Sequence, residues 1–192
     1  MLNDATAFFA NVKAGLLGPD LSKDEVDGCN AILEAMKGLL LSHAAYALAT
    51  AYHETNSKML PVREAYWLSE AWRRKNLRYY PWYGRGYVQL TWQENYKRSD
   101  EELHLGGRLL ADPDVALELD VAAPVMRLGM VEGWFAGDKQ GRHTLSRHLP
   151  TRLASLDQMI SARRIINGID DNVLIARYGQ QFQAALIAGN WT

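Results

Sequence analysis

The segment from Ser42 to Thr55 carries alanine and leucine on several faces of a helix rather than along one stripe. A helix that is apolar nearly all round has to be buried, so the rest of the chain must pack around it. The remaining sequence suits that demand: apolar residues recur at helical spacing along most of the chain, whereas alternating β-branched runs are almost absent. The fold class is therefore expected to be mainly α. With 192 residues, 48% of them apolar, the chain has material for one well-buried core and too little for two ordinary domains and a linker. Residues 1–192 are read as one folding unit.

Punctuation places the other elements. A first helix runs from about Asp4 to Leu16 and ends at Gly18-Pro19. Ser22, with Glu25 three residues on, forms the capping box of a second helix whose apolar stripe is Val26, Cys29, Ile32, Leu33 and Met36. The central helix ends in His53-Glu54. From Asn56 to Tyr83 the periodicity breaks up around Pro61 and Pro81, and aromatic residues concentrate there, from Tyr66 and Trp67 to Trp82 and Tyr83. Residues 84–92 read as a short hairpin arm or extended segment before a helix over Gln93 to Ser99. Later helices are expected at Val115–Leu119, Val121–Phe135, Leu153–Ile165 and Asp171–Leu186.

Charge narrows the partners. The formal net charge is −1, which favours neither nucleic acid nor an anionic membrane as main partner. No stretch approaches the roughly 18 apolar residues of a membrane span, and Met1-Leu2-Asn3-Asp4 does not begin an export signal, so synthesis in a cytoplasm without stable membrane insertion is expected. Arg63, Arg73, Arg74, Lys75, Arg78 and Arg85 crowd one stretch, either as a solvated basic face or as a surface for an anionic polymer. The single cysteine, Cys29, permits no internal disulfide and reads as a small core residue.

Several chemistries lack their residues. A zinc-protease helix would need a second histidine at position 57, which is Ser57, and no other histidine pair has the spacing beside a suitable acid. No Gly-x-Ser-x-Gly turn is present. No metal or organic cofactor is expected. Carboxylate chemistry remains, and Glu54 at the end of an apolar helix is the candidate acid, because partial desolvation there favours the protonated form that a general acid needs.

Ala51-Tyr52-His53-Glu54-Thr55, followed by Tyr83-Gly84-Arg85-Gly86-Tyr87-Val88-Gln89-Leu90-Thr91-Trp92-Gln93-Glu94-Asn95-Tyr96, resembles the signature of glycoside hydrolase family 19, and within it the short phage and prophage endolysins. Residues 21–28, Gly129–Phe135 and Ile165–Gly168 carry weaker echoes. The resemblance implies a lysozyme-like or chitinase-like multi-helix fold, with two helical lobes flanking a groove. It implies Glu54 as general acid with His53 in the wall behind it, Gln89 and Asn95 as sugar contacts, and Thr91 as the hydroxyl that holds the attacking water. Tyr83, Asn167 and Arg177 complete the implied groove. Local alternatives stand beside these: Thr91 and Gln89 pairing within a hairpin, and Asn167 as a helix-stop residue before Gly168. For the second carboxylate the expectation is Glu64, with Pro61 ending the helix and returning the chain across the cleft; Glu70 is the alternative. The implied activity is hydrolysis of β-1,4 bonds in peptidoglycan glycan strands by a monomer that waits in the host cytoplasm and reaches the periplasm through a holin pore, with chitin hydrolysis or a non-catalytic wall-binding role as rivals.

Overall fold

A computed structural model describes residues Met1–Thr192. The first elements in chain order are helices α1 (Ala5–Val12), α2 (Lys23–Ala35) and α3 (Leu41–Glu54), strand β1 (Val62–Arg63), helix α4 (Glu70–Asn76) and strand β2 (Arg85–Gly86). Then come helices α5 (Gln93–Glu102), α6 (Arg108–Ala111) and α7 (Leu119–Glu132), strands β3 (Gly137–Asp138) and β4 (Gly141–Arg142), and helices α8 (Leu145–His148), α9 (Leu156–Ala162) and α10 (Asn172–Ala188). The architecture is mainly α. Its only sheets are two antiparallel pairs: β1 with β2, placing Val62 opposite Gly86 and Arg63 opposite Arg85, and β3 with β4.

Helix α3 is the centre. Every residue from Leu41 through Ala51 is buried, as a helix apolar on all faces requires. Its alanines let α10 lie close along it, where Tyr52 meets Tyr178 and Phe182 edge-on with ring centroids 4.8 and 6.1 Å apart. The Tyr52 hydroxyl donates to the Leu16 carbonyl at 2.9 Å and ties in the wide turn, Lys13–Leu17, that follows α1. One contiguous core contains Phe8 of α1, Ile32 of α2, Leu48 of α3, Met126 of α7, Met159 of α9 and Phe182 of α10.

Capping explains where the helices start. The Ser22 and Glu25 box forms with both of its bonds, and Asp4 caps α1 through the Ala7 amide. The first helix stops earlier than its periodicity suggests, at Val12, before the wide turn. Helices α4, α6 and α8 and the β3–β4 pair were not foreseen, being too short to show a hydrophobic period. Two of them nevertheless begin at side-chain caps, Ser69 and Thr144, which accept from the Trp72 and Arg147 amides. The segment expected as a helix from Val115 is a 3₁₀ turn, Pro113–Leu117. The hairpin arm or extended segment expected over residues 84–92 takes a mixed form: β2 pairs with β1 in the same wall, and only Arg85 and Leu90 bridge inside the arm.

The exit from α3 is made before Pro61. Asn56, Ser57 and Met59 all adopt positive φ, at 50, 67 and 56°, and turn the chain back over α2. Met59 lies on Gly28 so closely that a Cβ at 28 would fall 1.8 Å from the Met59 carbonyl oxygen. That oxygen accepts from the buried Tyr87 hydroxyl at 2.9 Å, so α2, the α3 exit and the β2 segment meet at one point. Gly28→Ala is expected to destabilise the fold by about 1–3 kcal/mol, the usual cost of overpacking, as a lowered urea midpoint. An unchanged midpoint would show that Met59 yields freely.

Candidate active site

Three segments wall a cleft of about 500 Å³: the end of α3, the stretch from β1 to Trp92, and the turn after α9. They contribute Glu54; then Glu64, Tyr79, Val88, Gln89, Thr91 and Trp92; then Ile166 and Asn167. Four residues singled out in the sequence for catalysis or water handling and sugar binding, Glu54, Glu64, Thr91 and Gln89, thus share one cavity with Asn167.

Glu54 is the last residue of α3, with its side chain 18% exposed. A carboxylate at the C-terminal end of a helix faces the negative end of the macrodipole, and burial adds a desolvation cost. The offset comes from Arg163, itself 3% exposed, whose Nη1 donates to Glu54 Oε1 at 2.8 Å and whose Nε donates to the Asp170 carbonyl at 3.0 Å. Glu54 Oε2 makes no hydrogen bond within the protein. Arg163 follows α9 directly, and α9 is tied to α8 through a chain of bonds: Ser161 Oγ to His148 Nδ1 at 2.9 Å, and His148 Nε2 to His143 Nδ1 at 2.9 Å. Asp138, paired with Arg147, lies 3.5 Å from His143 Nε2. Burial, followed by the charges of His143, Arg147 and Arg164, pushes the His148 imidazole down to about 4.

Glu64 directly follows β1 and is held by neutral donors. Its Oε1 accepts from the Tyr79 hydroxyl and its Oε2 from the Gly84 amide, each at 3.0 Å, while its own amide donates to the Gly84 carbonyl at 2.7 Å. Both oxygens therefore act as acceptors, as an ionised carboxylate must. The Tyr79 phenol is raised above its ordinary range, first by burial and then by its bond to Glu64, which keeps it a donor. A side chain at Gly84 would displace Gln89, since a Cβ there would sit 2.6 Å from Gln89 Oε1.

The floor of this wall is an ion cluster. Asp114 accepts from Arg63 at 2.6 Å and from Arg85 at 2.7 Å, bracing β1 and β2 against the 3₁₀ turn. Burial raises the Asp114 carboxyl, but the bonds from both arginines outweigh it and leave the group below the usual carboxylate range. Gln89 and Trp92 are held at φ 51 and 74°, conformations that cost a non-glycine residue about 1–3 kcal/mol each. The Thr91 hydroxyl donates to the Gln89 carbonyl at 2.7 Å, leaving the oxygen's lone pairs for a cleft molecule.

No protein-family model matches the chain, and no curated protein matches it. Among solved structures, it matches chitinase C from Streptomyces griseus HUT6037, with a TM-score of 0.57 and 21% identity over 96% of this chain and 76% of that chain. The two proteins share a fold.

Several expected site residues lie elsewhere. Tyr83 is buried beneath Arg85 and donates to Glu70 at 3.0 Å, so it supports the wall instead of lining it. Glu70, the alternative second carboxylate, is engaged by Arg73 and Tyr83 away from the cleft; burial raises its carboxyl, but these bonds together hold it below the ordinary range. Asn95 donates to the Thr91 carbonyl at 2.8 Å from behind the cleft surface. His53, half-buried, lies 3.5 Å from Asp171 and does not line the cleft. Arg177 is exposed on α10. The downstream arginine that meets Glu54 is Arg163, whose only sequence signal is a charge inside the apolar run from Met159 to Ile166. Asn167 lines the cleft and also closes the turn after α9, its amide donating to the Arg163 carbonyl at 3.0 Å.

Two outcomes follow from these contacts. Arg163→Gln is expected to cost about 3–5 kcal/mol in urea unfolding, because Glu54 is left as a buried charge without its counter-ion. A depressed histidine binds its proton less readily in the native than in the unfolded chain, so its contribution is present above about pH 6.5 and is lost as pH falls toward 4. His148→Asn should therefore flatten the loss of melting temperature between those values; an unaltered slope would remove His148 from the account.

Proposed function

We propose that this chain is a glycoside hydrolase that cleaves β-1,4 bonds in bacterial peptidoglycan by acid/base catalysis with inversion. The observation that carries the reading is the convergence of Glu54 and Glu64, from separately built walls, on one cleft that also holds Thr91. The motif resemblance points the same way, and the fold shared with a chitinase supports glycosidic hydrolysis without choosing the polymer.

In this mechanism Glu54, ionised beside Arg163 in the free protein, takes a proton from solvent on Oε2, the oxygen Arg163 leaves open, as sugar fills the cleft, and gives it to the bridging oxygen as the glycosidic bond breaks. Glu64 takes a proton from a water, whose oxygen attacks the anomeric carbon from the opposite face. Thr91 accepts from that water and aims it. Tyr79 and the Gly84 amide fix the orientation of Glu64, so little reorganisation is needed when the proton arrives. The exposed face of Trp92 and the ring of Tyr79 offer stacking surfaces for sugars. No step calls on a metal or organic cofactor.

The biological role proposed is that of an endolysin: a monomer released through a holin pore onto the wall, lysing the cell without nucleic acid or membrane as partner. Chitin hydrolysis is the second reading, favoured by the chitinase whose fold the chain shares. Mass spectrometry of digested purified peptidoglycan decides between them. New reducing ends on its amino sugars support the first, and release from soluble chitin alone supports the second. In either case Glu54→Gln should keep an acceptor for Arg163 and a folded protein, while turnover drops by about 10²–10⁴. Retention of more than about a tenth of turnover would remove Glu54 from the acid role.

A further inference from the structure

Six basic residues crowd the sequence from Arg63 to Arg85, and the fold uses them very unequally. Arg63 and Arg85 are spent on Asp114. Arg73 is buried, paired with Glu70, and donates to the Ala65 and Leu68 carbonyls at 2.8 Å each. Arg74 lies over the Tyr80 ring, where it also reaches the hydroxyl. Lys75 is exposed on α4 and lies over no aromatic ring of the cleft.

Arg78 is different. It is exposed, joins no ion pair and donates no hydrogen bond, yet its guanidinium is parked 5.3 Å from the centre of the Trp92 ring. Trp92 lines the cleft, packs edge-on against Tyr79 at 4.9 Å, and is 43% exposed. Tyr79 in turn holds Glu64 and feels the positive charge of Arg78. The stacking restrains a long side chain that would otherwise be mobile, and it leaves the fork of N–H donors without a partner. A planar donor fork held at a cleft edge matches a carboxylate, which it binds through two parallel bonds.

Resting on the reading that the substrate is peptidoglycan, we propose that Arg78, held on Trp92, is a specificity-determining residue that binds a stem-peptide carboxylate of the glycan strand. A neutral amino-sugar polymer offers that guanidinium only uncharged hydroxyl and acetamido oxygens, whereas a strand with acidic peptides presents a carboxylate beside the sugars that occupy the cleft. The contact lies at the rim, so it acts on binding and on the choice between polymers. The acid and base are untouched.

The test uses the full chain carrying Glu54→Gln, so that ligands bind without being cut, and reads affinity by calorimetry at low salt. The ligands are peptide-bearing tetrasaccharides from purified peptidoglycan, either native or with their carboxylates amidated. Native ligand should bind about five- to tenfold more tightly than amidated ligand, a difference that shrinks in high salt. Adding Arg78→Gln should bring the ratio close to one, and Arg78→Lys, which keeps the charge and loses the fork, should retain part of it. Persistence of the full ratio in Arg78→Gln, or no ratio in its parent, overturns the assignment of Arg78. If the unsubstituted protein hydrolyses peptidoglycan while the ratio is absent, the substrate reading survives alone; if it neither hydrolyses nor binds peptidoglycan, both readings fall.

Discussion

A carboxylate at the inner end of a buried helix has to be given a counter-charge, and the bond between Glu54 and Arg163 supplies it. Because α3 is enclosed from Leu41 through Ala51, its last turn opens from the core into the cleft, where water alone cannot solvate the acid fully. The cation arrives from 109 residues further along the chain. Holding it there requires α9 to end at that place, and the bonds through Ser161, His148 and His143 fix α9 to α8. Helix α10, which starts after the same turn, then packs along α3 and closes the core. Charge compensation and the packing of the C-terminal helices are thus two aspects of one arrangement.

The opposite wall rests on different physics. Few of its residues are in regular structure, so it is stiffened by ions and hydrogen bonds instead of helix packing. Asp114 clamps β1 to β2 through two arginines, and the turn at Asn56–Met59 delivers the chain to β1 at the cost of three left-handed residues. Positive φ recurs at Ala65, next to Glu64, and at Gln89 and Trp92 within the cleft itself. Strain at these positions persists because the surrounding bonds over-determine them, which is the usual condition for strain beside a functional group. A wall built this way holds Glu64 by two donors that carry no charge.

What was legible in the sequence follows this division. The long helices were visible because a buried face repeats over several turns, and Ser22 with Glu25 marked a start by its own chemistry. Glu54, Glu64, Gln89, Thr91 and Asn167 were placed in one groove by the motif resemblance and meet in one cleft here. The short elements were not legible: β1 pairs with β2 over two residues, α4 spans two turns, and no periodicity can accumulate over such lengths. Tyr83 was expected in the groove from the motif resemblance alone, but the two arginines beside it draw the ring into the wall. Arg163 was missed for the converse reason, since a buried arginine is conspicuous only once the charge it neutralises is known.

The division also bears on how one fold can serve different polymers. Glu54 and Arg163 belong to the helical frame, so breaking the bond between them disturbs packing as well as chemistry. Trp67, Trp72, Arg78 and Trp92 sit instead on short elements and turns and stay exposed, over a base anchored by Asp114 and Arg73. These exposed side chains bond neither carboxylate, unlike Tyr79, whose hydroxyl holds Glu64. The shared fold therefore speaks to the helical frame that sets Glu54 at the end of α3, and the proposed choice between a neutral and an anionic strand rests on one unpaired cation, Arg78, beside Trp92.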